Sequence, residues 1–126
     1  MKIINIIIVS VCFLTFKNCL GQLPQQNINS EIIGSWVSED HANNKLTFNS
    51  NGECKEFYNN VLVDTYTYSI SHQCANESDN KAWFLKMIDS DDLDERCYEL
   101  YGANADSSNT LSIRDLTTGK IFLYNK

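Results

Sequence analysis

The chain has 126 residues, sixteen acidic against ten basic, and a formal net charge of −6. That length is one domain with room for one core. The acidity argues against nucleic-acid phosphates and anionic membrane surfaces as partners, since both would be repelled.

Met1 to Gly21 has the three-part layout of a secretory signal. Lys2 gives a positive start, and Ile3 to Phe16 is apolar apart from Asn5, Ser10 and Thr15. Cys19-Leu20-Gly21 then places small residues at the third and last positions before a cut at Gln22. The apolar run is shorter than the roughly 20 residues of a spanning helix, so no stable membrane span is expected. The expected location is secreted or periplasmic. The alternative is a lipoprotein anchored through Cys19, although Phe16-Lys17-Asn18 is a bulky, charged approach for a lipidation signal.

Removing the signal leaves 105 residues with eight basic and sixteen acidic side chains, a net charge of −8. Three of the five cysteines remain: Cys54, Cys74 and Cys97. In an oxidising compartment two should pair and one should be left over. No C-x-x-C is present, so neither a thioredoxin-type pair nor a zinc ribbon is indicated.

Gln22 to Ser30 is rich in Gln and Asn, holds the one proline (Pro24), and reads as a flexible leader. Asn27 to Ile33 has room for a single helical turn. From Ile32 onward, short alternating or apolar runs are separated by turn residues. The predicted strands are Ile32 to Val37, Lys45 to Phe48, Cys54 to Tyr58, Thr65 to Ser71, Ala82 to Ile88, Cys97 to Tyr101, Leu111 to Arg114 and Ile121 to Tyr124. Asn49-Ser50-Asn51-Gly52, Asn59-Asn60 and Thr118-Gly119 supply turns between them. Tyr66, Tyr68 and Ile70 share one face of the clearest strand, and Trp83, Leu85 and Met87 one face of the next. Eight short strands with hairpin-length links predict an all-β, up-and-down antiparallel meander closed as a barrel over residues 31–126. A two-sheet sandwich is the alternative, because period-2 alternation cannot separate the two.

Gly34-Ser35-Trp36, on the first strand after a loose leader, matches the G-x-W signature of lipocalins. Together with the Phe48 to Gly52 hairpin, Tyr68-Ser69-Ile70 leading to Cys74, Cys97-Tyr98-Glu99-Leu100 and the final pair of strands, it makes the chain resemble small exported bacterial lipocalin-like proteins. The resemblance implies an eight-stranded barrel, export, and structural roles for Gly34 and Trp36, with Trp36 plugging the closed end. It also implies a Cys74–Cys97 disulfide with Cys54 free. In a strict meander those two cysteines lie at opposite ends, so the bond requires His72 to Lys81 to cross over the fifth strand. The chain departs from the lipocalin T-D-Y segment, since Asp64-Thr65-Tyr66 has another order, and Arg114 stands on the seventh strand as the counterpart of the arginine that covers the Trp.

No constellation for catalysis stands out. Cys54 with His72 would make a thiol nucleophile only if Cys54 stayed reduced and activated. Asp89 to Glu95 lacks the spacing and glycine of a calcium loop and reads as a solvated turn. His41 and His72 have no metal-binding spacing. Asn76-Glu77-Ser78 is a formal glycosylation site. The expectation is therefore a monomeric, cofactor-free, non-enzymatic barrel. It would bind a small apolar or amphipathic molecule through Tyr66, Tyr68, Trp83 and Tyr98 if an interior cavity exists. The alternative is a filled barrel that works through its loops as an interaction or inhibitor module.

Overall fold

A computed structural model describes residues 27–126. The secretory signal at Met1 to Gly21, the Cys19 acylation alternative and the leader up to Gln26 lie outside the described residues.

Eight strands close into one barrel in the order β1 (Gly34–Ser38), β2 (Asn44–Phe48), β3 (Glu53–Tyr58), β4 (Val61–Ser71), β7 (Trp83–Asp89), β8 (Glu95–Ala103), β9 (Thr110–Asp115) and β10 (Ile121–Asn125). Each pairs antiparallel with its chain neighbours, and β10 returns to β1 through Val37 opposite Asn125 and Ser38 opposite Tyr124. The meander and its closure are as the alternation predicts, and the sandwich is not formed. A helix, α1 (Ile28–Glu31), precedes the barrel, and a two-stranded flap, β5 (Gln73–Cys74) and β6 (Glu77–Ser78), interrupts it.

Turn chemistry explains the tight links. Asn59 and Asn60 both adopt positive φ, at 50° and 62°, which a two-residue hairpin between right-twisted strands requires and asparagine tolerates. In an up-and-down barrel alternate links gather at one end. The links after β2, β4 and β8 therefore share the end that α1 covers. The links after β1, β3, β7 and β9 gather at the other, here called the far end.

The α1 end is sealed. Ile28 and Ile32, from the segment read as a leader and its border, are buried in the main apolar cluster. Trp36 is fully buried, and its indole N–H donates to the Ile32 carbonyl at 2.7 Å, which satisfies the one polar atom of the ring. The cation over Trp36 is Lys126, with Nζ 4.8 Å from the ring. Arg114 instead binds Glu99 on the neighbouring strand, through Nη2 at 2.6 Å and Nε at 3.2 Å. The pleat places Arg114 opposite Glu99 on the outer face, so it cannot reach the plug.

Phe48, Tyr66, Leu85, Met87, Leu100, Leu111 and Ile113 fill the interior, with Tyr68, Trp83 and Tyr98 packed against them. Each large apolar side chain so buried contributes about 1.5–3 kcal/mol.

Cys74 and Cys97 form the disulfide that the resemblance implies, and Cys54 is free and buried. The flap makes the bond possible: β5 packs on β7, so the chain leaving β4 folds over the outside of that strand. Phe84, on the outer side of β7 and opposite Glu99, is buried although it faces away from the barrel axis.

Candidate functional site

Tyr66 and Tyr98 stand on the inner wall toward the far end. The Tyr66 hydroxyl donates to Glu56 Oε2 at 2.8 Å, and Arg96 lies 5.4 Å from the Tyr66 ring centroid. Arg96 also meets the Tyr98 hydroxyl. Tyr68 and Trp83 belong to the opposite end. The Tyr68 hydroxyl donates to the Asn49 carbonyl at 2.7 Å in the β2–β3 turn, and its ring meets Phe48 edge-on. Trp83 stacks on His72, centroids 3.9 Å apart, while His72 Nδ1 is 2.6 Å from the Ala82 carbonyl oxygen. Of the four residues proposed to line a cavity, Tyr66 and Tyr98 are thus brought together and Tyr68 and Trp83 are not.

The far-end wall carries polar residues that the sequence reading left out. Cys54 and Glu56 share a face of β3, and their partners on β4 are Tyr66 and Asp64. The carboxylates of Glu56 and Asp64 therefore stand directly opposite each other across the strand pair, an arrangement that is destabilising by itself. Arg96 is the cation that reaches this group, and Tyr124 adds a further hydroxyl. Burial, followed by the hydrogen bond to Glu56, pushes the Tyr66 phenol up. Burial also raises Tyr98 and Tyr124. Asn44 Oδ1 is buried with no hydrogen-bond partner. Simple parity from Cys54 and Tyr66 would have placed Glu56 and Asp64 inward, but an inward acid runs against the apolar template used to select the inner face.

The outer surface at this end is apolar at one point. A β-bulge shifts the β3–β4 register after Glu56, so that Phe57 pairs with Leu62 and Tyr58 with Val61, leaving Val63 as the extra residue. Tyr58, Val61, Leu62 and Val63 are exposed by 52%, 64%, 49% and 50%. Beside this tip lies a cleft of about 220 Å³ lined by Val37, Ala42, Asn43, Lys45, Asn59 and Asn60. On its other side the Asp89–Glu95 loop is tied to β4 by Ser90 N–H donating to the Thr65 carbonyl at 2.9 Å.

The remaining sequence candidates have local roles. Cys54 is fully buried, and burial with the nearby Glu56 charge pushes its thiol up, the opposite of what a nucleophile needs. In the acidic loop, Asp89 Oδ1 accepts from Asp91 N–H at 2.8 Å, and Asp92 Oδ1 accepts from Asp94 N–H at 2.8 Å. Those oxygens hold the turn itself. Among the described residues, Cys74, Glu95 and Cys97 bring potential metal-binding atoms within 4.8 Å of one another. The two sulfurs are bonded to each other, so they offer no thiolate.

No helix among the described residues is long and apolar enough to cross a membrane. Compared with protein families, curated proteins and solved structures, the chain matches none.

Proposed function

We propose that this chain is an exported, lipocalin-like barrel that acts through its far-end surface as a protein-interaction or inhibitor module. The observation that carries this reading is the β3–β4 tip, where Tyr58, Val61, Leu62 and Val63 flank a two-residue hairpin turn and point into water. Clustered apolar exposure of this kind marks interaction surfaces on soluble proteins. The packed interior supports the same choice: Trp36, Phe48, Tyr66, Leu85 and Leu111 are each at most 1% exposed and occupy the space a carried apolar molecule would need. Export rests on the Met1 to Gly21 pattern, and the Cys74–Cys97 disulfide is compatible with it.

A second reading keeps a small molecule at the far end. The unpartnered Asn44 Oδ1 and the Glu56–Tyr66–Arg96 group favour a polar or amphipathic ligand there, the amphipathic rather than the apolar side of the expected range.

The two readings separate experimentally. The mature protein is isolated from its host and examined by native mass spectrometry, and the tip variant V61S/L62S is compared with it for complex formation in the exported fraction. The interaction reading expects empty protein and a complex lost in the variant. A stoichiometric small molecule, with complexes unaffected by the tip, would overturn it in favour of the carrier.

A further inference from the structure

Acid is unevenly distributed over the barrel. Glu39 and Asp40 in the β1–β2 loop, five acids between Asp89 and Glu95, Asp115 at the last turn, and Glu56 and Asp64 on the inner wall together make ten of the sixteen acidic residues. All ten stand at the far end, around the apolar β3–β4 tip. The cations nearby are engaged. Arg96 lies over Tyr66, Lys45 over Phe57 at 4.9 Å and Lys120 over Phe122 at 4.9 Å, while Lys86 reaches Glu95 at 3.9 Å. Glu56 and Asp64 oppose each other and Arg96 acts on Glu56, so a further positive charge would relieve a repulsion built into the wall.

From this charge complementarity we infer that the far end docks a basic polypeptide segment with apolar residues between its lysines or arginines. The apolar side chains lie on Tyr58, Val61, Leu62 and Val63, and the cations face the Asp89–Glu95 loop and the Glu56–Asp64 pair. A second copy of this chain is disfavoured as the occupant, because a symmetric contact here would set two acidic ends against each other. An anionic lipid surface is disfavoured for the same reason. The inference rests on the interaction reading above and specifies the partner's chemistry.

The test uses the whole mature chain and short labelled peptides in which Val alternates with Lys, Ser or Glu, followed by fluorescence anisotropy. The Lys peptide is expected to bind about tenfold or more tighter than the Ser peptide. That advantage should shrink steeply between low salt and about 0.5 M, where charges are screened within a few ångströms. D91N/D92N/D94N should remove most of the Lys preference; Asn keeps the acceptor oxygen with which Asp92 holds the turn. E53Q/D106N, at the α1 end beside the β2–β3 and β8–β9 links, should leave it unchanged. V61S/L62S should weaken the Lys and Ser peptides alike.

Equal binding of Lys and Ser peptides, both lost in V61S/L62S, would overturn the basic partner and leave the interaction reading standing. Binding of the Lys peptide that ignores V61S/L62S would be bare counterion attraction and would overturn both. So would failure of every peptide to bind. The salt series needs no substitution, so it decides the charge question even if a variant fails to fold.

Discussion

Cys74 and Cys97 are joined with 5.8 Å between their Cα atoms, across the outside of a strand that belongs to neither. Cys97 stands opposite Lys86 on β7, and the flap bearing Cys74 folds over that same strand. The disulfide therefore straps β5 and β6 to the barrel wall over Phe84 and closes a segment with a sequence separation of 23.

Replacing both cysteines, C74S/C97S, should lower unfolding stability by roughly 3 kcal/mol in the chain-entropy picture, while the barrel still forms. Urea denaturation checks the loss. Increased binding of an apolar dye, as Phe84 is uncovered, checks its location.

Trp36→Phe should cost about 2 kcal/mol, because the smaller ring leaves a void and the Ile32 carbonyl loses its buried donor. Gly34→Ala should also destabilise the closed end. Gly34 has φ +128°, and an added Cβ would come within 3.0 Å of Lys126 Cε. Chemical denaturation midpoints measure both.

Cys54 should resist thiol reagents in the folded protein and react at the rate of global unfolding, since it is fully buried and its thiolate is disfavoured by burial and by Glu56. Labelling with a chromogenic disulfide across a urea series tests this. Fast labelling in native buffer would refute it.

The barrel should lose stability in alkali. Burial raises the folded-state pKa of Tyr66, Tyr68, Tyr98 and Tyr124 above the ordinary value of 10.0. A raised folded-state value means the unfolded chain releases its protons first, so the contribution is complete below about pH 10 and is lost as pH rises beyond it. Urea midpoints from pH 8 to 11, followed with phenolate absorbance, should show both changes in one transition. Tyr66→Phe should flatten the decline.

Tyr66→Phe should in addition cost about 1 kcal/mol at neutral pH, the value of a part-exposed bond to a carboxylate. Glu56→Gln keeps an acceptor for Tyr66 and relieves the repulsion with Asp64, so its cost should be smaller. Thermal denaturation of the two variants side by side gives the comparison.

The strand alternation, the Asn59-Asn60 and Thr118-Gly119 turns and the G-x-W start were enough to read an eight-stranded closed meander and its inner face, because period-2 burial and tight turns are local properties of a chain. Family resemblance, rather than spacing, pointed to Cys74 with Cys97. The far-end surface was not legible. It depends on a bulge after Glu56 that turns Leu62 and Val63 into water, and on a register that sets Asp64 against Glu56. Which cation covers Trp36, which tyrosines meet, and where ten acids gather were likewise decided by the closure of the barrel. That closure brings together residues far apart in sequence, and pairwise geometry of that kind leaves no periodic trace along a single chain.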